Sequence, residues 1–226
     1  MQVALVTGAS RGLGRALALE LARRGWALSI CARGVAVLGA VAAEIRSLGA
    51  AVLVTEADLR SPRDQERLVA LTLERFGHID LLINNASELG PTPLPYLADV
   101  SPDAFVDVLN VNLVAPFRIS QAVIRTMLLR GSGLVINITS DAATHGYPGW
   151  GAYAASKAGL ESMTRTWLAE LEGTGIRMVS LDPGDMDTVM HRAALPDDDP
   201  TTLRRPEEAA LEVLAASGIP SLEPVA

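Results

Sequence analysis

Residues 3–14 have the sequence VALVTGASRGLG, in which a short apolar run leads directly into three closely spaced glycines. Because glycine has no Cβ, Gly8 can form a tight turn, Gly12 lets the backbone approach a phosphate, and Gly14 allows close packing of a helix on the strand. The first N–H groups of that helix are free to bind an anion. The stretch therefore predicts a phosphate-binding strand, turn and helix at the start of the chain.

Short β-rich runs alternate with stretches of helical period along the rest of the chain. This pattern predicts βαβ units and a parallel sheet covered by helices on both faces. We expect one α/β domain over residues 1–226, a three-layer, Rossmann-like, doubly wound fold with six strands. Residues 186–205 lack clear periodicity and are predicted to form a substrate lid or a disordered loop. The predicted strands are 3–7, 27–32, 51–56, 81–84, 133–139 and 177–181, and the predicted helices are 12–24, 36–48, 62–76, 102–129 and 152–172.

Composition narrows the possible partners and location. The chain has 226 residues, of which 49% are apolar and only 4% aromatic, which suits a core of small aliphatic side chains. A net charge of −7 disfavours nucleic acid and anionic membranes as partners. No apolar run reaches the roughly 18–20 residues of a membrane helix, and no charged leader precedes the first strand. With Cys31 as the single cysteine, an internal disulfide is excluded, and we expect a reducing cytoplasm.

Tyr153 and Lys157 are four residues apart in the predicted helix 152–172, so both project from one face. A phenol has a reference pKa of about 10, and an adjacent ammonium is expected to lower it. Of the 19 basic residues, 18 are arginine and Lys157 is the only lysine. A compact ammonium beside this phenol is therefore predicted to tune an acid–base catalyst.

The glycine spacing and the Tyr-x-x-x-Lys pair resemble the TGxxxGxG and YxxxK motifs of the short-chain dehydrogenase/reductase family, and the resemblance spans residues 2–216. It implies an oxidoreductase that transfers a hydride between a nicotinamide cofactor and a small carbonyl or secondary alcohol. Tyr153 is the implied general acid and base, and Lys157, together with an oxidised nicotinamide, is expected to lower the pKa of its phenol. No metal site is expected.

Two further side chains match the family's catalytic set. Ser140 ends the fifth predicted strand, at the carboxyl edge of the sheet where ligands bind, and can donate to the substrate oxygen. Asn112 matches the asparagine that holds a water in a proton relay to Lys157. Thr139 and Asn110 are neighbouring alternatives, and the family's spacing favours Ser140 and Asn112.

Arginines at the predicted cofactor site favour NADP(H), with NAD(H) as the alternative. Strand two ends at Arg33 without the carboxylate that binds ribose hydroxyls in NAD sites, and Arg11 lies in the glycine-rich turn. Two guanidinium groups could flank a 2′-phosphate. The alternative is that both are ordinary solvated surface arginines.

The adenine end is predicted from two further elements. Asp58-Leu59 resembles the family's adenine contact, and residues 84–87, NNAS, resemble its NNAG element. Ser87 replaces the glycine, so either the turn has a negative φ or the loop is shifted. As alternatives, Asp58 could be a plain turn residue and Asn84-Asn85 could join strands by hydrogen bonds.

Residues 182–188, DPGDMDT, resemble the PGxxxT turn that positions the nicotinamide amide. By itself Pro-Gly predicts only a turn. The complete set of expected cofactor-binding residues is Gly8, Ser10, Arg11, Gly12, Leu13, Gly14, Arg33, Asp58, Leu59, Asn85, Ala86, Tyr153, Lys157, Pro183, Gly184, Met186 and Thr188.

The expected substrate pocket is mostly apolar with one carboxylate, which suggests a modest apolar carbonyl compound. His191 and Arg192 could meet an anionic substrate, although a loop histidine is more often solvated. The residues expected to wall the pocket are Glu88, Leu89, Ala142, Tyr147, Trp150, Met186 and Met190.

The end of the sequence bears on assembly and on rival functions. Residues from Pro206 onward resemble the family's last helix, but its final strand and glycine-rich end are not matched, which puts a tetramer in doubt. We expect a homodimer through the helices carrying Asn112 and Tyr153. A nucleotide-sugar epimerase or dehydratase would need a longer substrate domain. A non-catalytic NADP(H) sensor would keep the glycines and lose a catalytic side chain, whereas all four candidates are present.

Overall fold

The computed structural model describes residues 1–220. Within them, six strands form one parallel sheet in the order β3-β2-β1-β4-β5-β6. The predicted α/β, doubly wound fold is confirmed. The strands are β1 (Val3–Thr7), β2 (Ala27–Ala32), β3 (Val52–Glu56), β4 (Leu81–Asn84), β5 (Gly133–Ile138) and β6 (Ile176–Leu181).

Eight α-helices connect or follow these strands within the described residues. They lie on both faces of the sheet because alternate side chains of each buried strand point to opposite sides. In β1, Ala4 and Val6 pack on one face with helices α1, α2 and α8, and Leu5 packs on the other face with α3 and α5. The helices are α1 (Gly12–Arg23), α2 (Val35–Ser47), α3 (Pro62–Phe76), α4 (Pro102–Leu109), α5 (Ala115–Arg130), α6 (Gly151–Glu170), α7 (Val189–Ala194) and α8 (Pro206–Ala216).

The predicted helix 102–129 is interrupted. A π-helical turn, Asn110–Val114, separates α4 from α5. Asn112 in this turn is 1% exposed and directs its amide to another loop. A single π turn inside a helix commonly marks a functional position. Sequence periodicity did not reveal it, because one i→i+5 turn changes the spacing of apolar residues along a helix by only one position.

Residues 186–205 are more regular than predicted. They contain α7 and a 3₁₀ turn, Pro200–Thr202, and Met186 pairs with Arg204 in an isolated β-bridge. The prediction of a disordered loop is therefore wrong. Thr188 caps α7 by accepting a hydrogen bond from the His191 backbone N–H at 3.1 Å. The helix has only six residues, which is too short for a helical period to show in the sequence.

The connection from β1 to its two neighbours positions the site. Strands β2 and β4 lie on either side of β1, and the helices that follow them lie on opposite faces of the sheet. The order of strands therefore reverses direction at β1, and the two connections separate at its carboxyl end. Ligands of open α/β sheets bind in the crevice at such a point. None of the helices in residues 1–220 combines the length and apolar character needed to span a membrane.

Candidate active site

A cavity of about 620 Å³ opens at the carboxyl edge of the sheet, above β1, β4 and β5. It extends from Arg33 and Asp58 at one end to Ser140 and Tyr153 at the other. The start of α1 lies between these two ends. The fold therefore brings the glycine-rich turn and the Tyr-x-x-x-Lys pair, about 140 residues apart in the sequence, to one continuous cavity.

The glycine-rich turn leaves the start of α1 open to the cavity. No side chain caps this helix, and no acidic residue stands in its first turn. Gly8 has a φ of +68°, and a Cβ there would lie 2.8 Å from the Cα of Ala86, so only glycine fits. Free N–H groups and the positive end of the helix dipole thus face the cavity, an arrangement that binds phosphate.

At the far end of the cavity, each arginine near the expected 2′-phosphate position has a different environment. Arg11 is exposed and lines the cavity. Arg33 forms an ion pair with Glu88 at 3.3 Å between Nη1 and Oε2. Glu88 was expected at the substrate wall, but its carboxylate lies on the arginine instead.

Asp58 and Leu59 also line this end of the cavity. Asp58 accepts a hydrogen bond of 2.8 Å from Arg60, and this bond holds the pKa of the Asp58 carboxyl below its usual value. The carboxylate therefore stays ionised at neutral pH. The backbone N–H of Asp58 donates to the Asp64 carboxylate, and this bond fixes the turn.

The two asparagines of the NNAS element hold strands together. Asn84 is 4% exposed and donates to Asn137 on β5 at 2.8 Å and to Ser120 on α5 at 2.9 Å. Asn85 donates to the backbone carbonyl of Thr7 on β1 at 2.9 Å. These contacts agree with the alternative given for the pair, that the two asparagines join strands by hydrogen bonds. Asn85 and Ala86 also line the cavity.

Ser87 does not need the backbone freedom of the glycine it replaces. Within residues 1–220, every residue with a positive φ is a glycine, so Ser87 has a negative φ. Its hydroxyl donates to Asn112 Oδ1 at 3.3 Å. The first of the two alternatives given for this position, a turn with negative φ, is therefore the one observed.

Tyr153 and Lys157 lie on one face of α6, as their spacing predicts. Tyr153 is 9% exposed and Lys157 is 2% exposed. The Lys157 Nζ lies 5.4 Å from the centre of the Tyr153 ring and donates to the Ile138 backbone carbonyl at 2.8 Å. The ammonium is thus anchored on β5 below the phenol.

Burial has the largest effect on the pKa values of both Tyr153 and Lys157. It raises the pKa of Tyr153 to about 12, and the hydroxyls of Ser140 and Ser87 oppose this shift. Burial lowers the pKa of Lys157 to about 8, partly offset by Asp182. In the protein itself, desolvation of the phenolate is the largest effect on the pKa of Tyr153. The lowering expected from the ammonium together with an oxidised nicotinamide stays a prediction.

Ser140 is held at the end of β5 by its neighbour. Its hydroxyl donates to Asp141 Oδ1 at 3.0 Å and accepts from the Ala142 backbone N–H at 3.2 Å. Thr139, its alternative, is 7% exposed and its hydroxyl has no partner in the described residues. Of these two hydroxyls, only that of Ser140 affects the pKa of Tyr153, which it lowers.

Asn112 clamps the loop that follows β4. Its Oδ1 accepts from the Glu88 backbone N–H at 2.7 Å, and its Nδ2 donates to the Glu88 carbonyl at 2.9 Å and to Ser156 Oγ at 3.0 Å. These bonds occupy the amide, so its side chain holds the loop rather than contacting Lys157. The other candidate, Asn110, is partly exposed.

The turn after β6 is built as expected. Gly184 has a φ of +72°, and its backbone N–H donates to Asp182 Oδ1 at 2.9 Å. Pro183, Gly184, Met186 and Thr188 all line the cavity. Asp182 also lines it and was not among the predicted site residues, since nothing in its local sequence sets it apart from a turn aspartate.

The apolar wall near Tyr153 is only partly the predicted one. Trp150 packs edge-on against Tyr153, with ring centres 5.4 Å apart, and Met190 packs in the same cluster. Ala142 is buried in that cluster, behind the cavity surface. Tyr147 is 44% exposed and lies outside the cavity lining, because its hydroxyl donates to Asp141 at 2.7 Å.

His191 is buried, contrary to the expectation of a solvated loop histidine. It is 8% exposed, and its Nε2 lies 2.9 Å from Asp198 Oδ2. Arg192 instead pairs with Asp187 at 3.0 Å. Both contacts link parts of the segment that follows β6.

Comparisons with known proteins agree with this geometry. The family model for short chain dehydrogenase matches residues 2–199. A 3-oxoacyl-[acyl-carrier-protein] reductase from Synechocystis sp. is 38% identical over 190 residues, covering 84% of this chain and 76% of the relative. An uncharacterized NAD-dependent oxidoreductase from Mycobacterium tuberculosis is 37% identical over 203 residues, covering 84% and 73%. The structure of an alcohol dehydrogenase from Thermococcus sibiricus, complexed with 5-hydroxy-NADP, matches with a TM-score of 0.87 and 32% identity, covering 100% of this chain and 94% of that one.

Proposed function

Because this chain belongs to the short-chain dehydrogenase family, we propose that it is an NADP(H)-dependent oxidoreductase acting on a small, mostly apolar carbonyl compound or secondary alcohol, with Tyr153 as general acid and base. The observation that carries the proposal is the position of Tyr153, Lys157 and Ser140 in the same cavity as the uncapped start of α1. The reaction class follows from these side chains, and the cofactor supplies the hydride chemistry.

The residues at the cavity fit a dinucleotide. The open start of α1 suits a pyrophosphate. The turn at Gly8 packs closely on the loop after β4, where a Cβ would lie 2.8 Å from the Cα of Ala86. Arg11 and Arg33 at the adenosine end support a 2′-phosphate and hence NADP(H) over NAD(H). The complex of the Thermococcus sibiricus enzyme supports the same preference, and the relative described as NAD-dependent keeps NAD(H) as the alternative.

The titration of Tyr153 suits carbonyl reduction. A pKa near 12 keeps the phenol protonated at neutral pH, which is the form that can donate a proton to a substrate oxygen. A bound nicotinamide would supply the hydride in this direction and accept it in the reverse. Ser140 turns its hydroxyl from Asp141 to the same substrate oxygen and stabilises the charge that develops there.

Lys157 and Asn112 support the proton transfer from Tyr153 without contacting the substrate. With a pKa of about 8, the Lys157 side chain is largely protonated at neutral pH and can donate to a ribose hydroxyl while it keeps its bond to Ile138. Asn112 holds Glu88 and its loop against α6 and therefore acts as a positioning residue. The proton relay expected through Asn112 stays a prediction.

The substrate preference follows from Leu89, Trp150 and Met190, which give the end of the cavity an apolar surface. The neighbouring carboxylates Asp141, Asp182 and Asp185 disfavour an anionic substrate. We therefore propose a neutral ketone or aldehyde of modest size. The predicted cytoplasmic location stays a prediction.

The test is NADPH consumption against a panel of neutral aldehydes, ketones and β-keto esters. Tyr153→Phe should lower kcat by about 10²- to 10⁴-fold, the usual effect of losing a general acid. Tyr96→Phe, at a tyrosine 68% exposed, serves as the matched control and should retain wild-type rates. Equal rates for wild type and Tyr153→Phe would contradict the catalytic proposal and favour the NADP(H) sensor, provided that both bind NADPH by fluorescence.

For assembly we propose a homodimer through α4, α5 and α6. Apolar side chains are exposed on these helices, with Val106 at 51%, Phe117 at 40% and Leu168 at 47%, and Phe117 stacks on Trp167 with ring centres 5.8 Å apart. Exposed apolar surface of this kind favours association. Light scattering should give the mass of two chains, and the mass of one chain would refute the dimer.

A further inference from the structure

An ion pair crosses the cavity at its adenosine end. Arg33 follows β2 and Glu88 lies in the loop after β4, while β1 and its glycine-rich turn lie between these two strands. Arg33 Nη1 donates to Glu88 Oε2 at 3.3 Å, and both residues line the cavity. The pair therefore spans the crevice above the end of β1, where a fold of this kind binds a dinucleotide.

The Glu88 carboxylate has an oxygen available to a ligand. Two carboxylates, those of Asp58 and Glu88, line this end of the cavity. Arg60 occupies both oxygens of Asp58, with its Nε donating to Oδ1 at 3.1 Å and its Nη2 to Oδ2 at 2.8 Å. Among residues 1–220, by contrast, Glu88 accepts a hydrogen bond through Oε2 alone. Its Oε1 is thus the carboxylate oxygen that remains to accept from a bound molecule.

The backbone of Glu88 is fixed, whereas its side chain is free to turn. Asn112 accepts from the Glu88 N–H at 2.7 Å and donates to the Glu88 carbonyl at 2.9 Å, and it is itself bound to Ser156 on α6 at 3.0 Å. The Arg33 side chain is 60% exposed, and exposed ion pairs contribute little to stability. Either partner of the pair can therefore exchange for a ligand at small cost while the loop stays in place.

We propose that Glu88 is a specificity-determining residue, which accepts a hydrogen bond from the adenosine 2′-hydroxyl of NAD(H) and opposes the 2′-phosphate of NADP(H). The inference rests on the proposed function and deepens its cofactor preference. In dinucleotide folds a carboxylate at the end of the second strand binds this hydroxyl, and in this chain Arg33 stands there instead. Glu88 supplies the carboxylate from the loop after β4, beside the guanidinium expected to bind the 2′-phosphate.

The two side chains then have different partners with each cofactor. With NADP(H), Arg33 leaves Glu88 for the 2′-phosphate, and the Glu88 carboxylate turns away from that negative charge. With NAD(H), the ion pair stays formed and Glu88 Oε1 accepts from the 2′-hydroxyl. Only hydrogen bonds are made and broken in this exchange. Glu88 therefore narrows the difference in affinity between the two cofactors, while Arg33 keeps NADP(H) ahead.

Calorimetric titration with NADPH, NADH and an NADH analogue that lacks the adenosine 2′-hydroxyl measures these contacts without turnover. Glu88→Ala should weaken NADH about three- to tenfold and tighten NADPH about two- to fivefold, because Arg33 is released. Wild type should bind the 2′-deoxy analogue about three- to tenfold more weakly than NADH. Glu88→Ala should bind the two equally, since the acceptor for the hydroxyl is gone.

Two controls separate a direct contact from an indirect effect. In the Arg33→Ala background, Glu88→Ala should still weaken NADH by the same factor, because the hydroxyl contacts Glu88 itself. Glu74→Ala removes an exposed carboxylate near the end of α3 and should match wild type with all three ligands. Since Asn112 binds only the backbone of Glu88, the Tm of Glu88→Ala should stay within about 1–2 °C of wild type.

Each outcome decides a different point. Equal changes in NADH and NADPH affinity on Glu88→Ala would overturn the inference, and so would equal binding of NADH and its 2′-deoxy analogue by wild type. An NADH loss that disappears without Arg33 would overturn it too, because the effect would then belong to the arginine. Wild type that binds both cofactors but turns over no carbonyl compound or alcohol would contradict the proposed function alone, and the titrations would still decide the role of Glu88.

Discussion

The Lys157 Nζ lies 5.4 Å from the centre of the Tyr153 ring, and both side chains are buried. Burial disfavours the charged form of each group, so it raises the pKa of the phenol and lowers that of the ammonium. The pair is thus most stable with at least one partner neutral. The cost of burying this proposed catalytic pair should be measurable as a lower free energy of unfolding.

Replacing Lys157 should stabilise the protein in a pH-dependent manner. The pKa of Lys157 falls from 10.5 to about 8 on folding, so below about pH 8 the full cost of burying the charge is present. Between about pH 8 and 10.5 the unfolded chain binds more protons at this site, and stability from this site rises with pH. Lys157→Met should therefore raise the free energy of unfolding at pH 7 by about 1–3 kcal/mol, measured by urea denaturation.

The gain from Lys157→Met should shrink as the pH approaches 10. Measurements stay below that value because Tyr153 has the opposite effect, with stability lost as pH rises from about 10 to 12. Arg165→Met, at a side chain 67% exposed on the same helix, is the matched control and should change stability by less than about 0.5 kcal/mol. A gain that is equal at pH 7 and about pH 9.5 would contradict the assigned cause.

Arg33 and Glu88 should have opposite effects on NADPH affinity. Arg33→Ala removes a cation from the adenosine end and should weaken NADPH about tenfold while leaving NADH unchanged. Glu88→Gln frees Arg33 from an exposed ion pair and should tighten NADPH about two- to fivefold. Fluorescence titration of both cofactors measures this, with Arg46→Ala at the exposed far end of α2 as the control. An NADH complex tighter than that of NADPH would overturn the assignment.

Asn112→Ala should cost stability as well as activity. It leaves the N–H and carbonyl of Glu88 without their side-chain partner, which costs about 1–3 kcal/mol and lowers Tm by several degrees. The matched variant Asn110→Ala, two residues earlier and partly exposed, should change Tm by no more than about 1–2 °C. If both variants lose the same stability, the clamp on the Glu88 loop has been assigned to the wrong asparagine.

Gly14→Ala and Gly39→Ala should change stability in opposite directions, although both lie within helices. A Cβ on Gly14 would collide with the Gly8 carbonyl and the Asn85 amide, so the variant should lose stability and NADPH binding together. A Cβ on Gly39 meets nothing within 4 Å, and alanine there should add about 0.5–1 kcal/mol. Thermal denaturation and NADPH fluorescence check both. Retention of full NADPH affinity by Gly14→Ala would contradict the close packing inferred for this turn.

Local pattern was enough for the sheet and its main turn. The short apolar run of β1 and the glycines that follow it determine a strand, a turn and a helix through contacts between near neighbours in sequence. The four-residue spacing of Tyr153 and Lys157 fixed their common face for the same reason. The pattern failed for α7, whose six residues are too few to show a period.

The sequence by itself determined the succession of strands along the chain, the glycine turn and the common face of Tyr153 and Lys157 on α6, because each depends on residues only a few positions apart. Only the tertiary structure decided the sign of the Tyr153 pKa shift, the partner of Glu88 and the exclusion of Tyr147 from the cavity. Those depend on desolvation and on contacts between elements far apart in the chain. Burial of a phenol is set by the packed core around it, which no local spacing encodes.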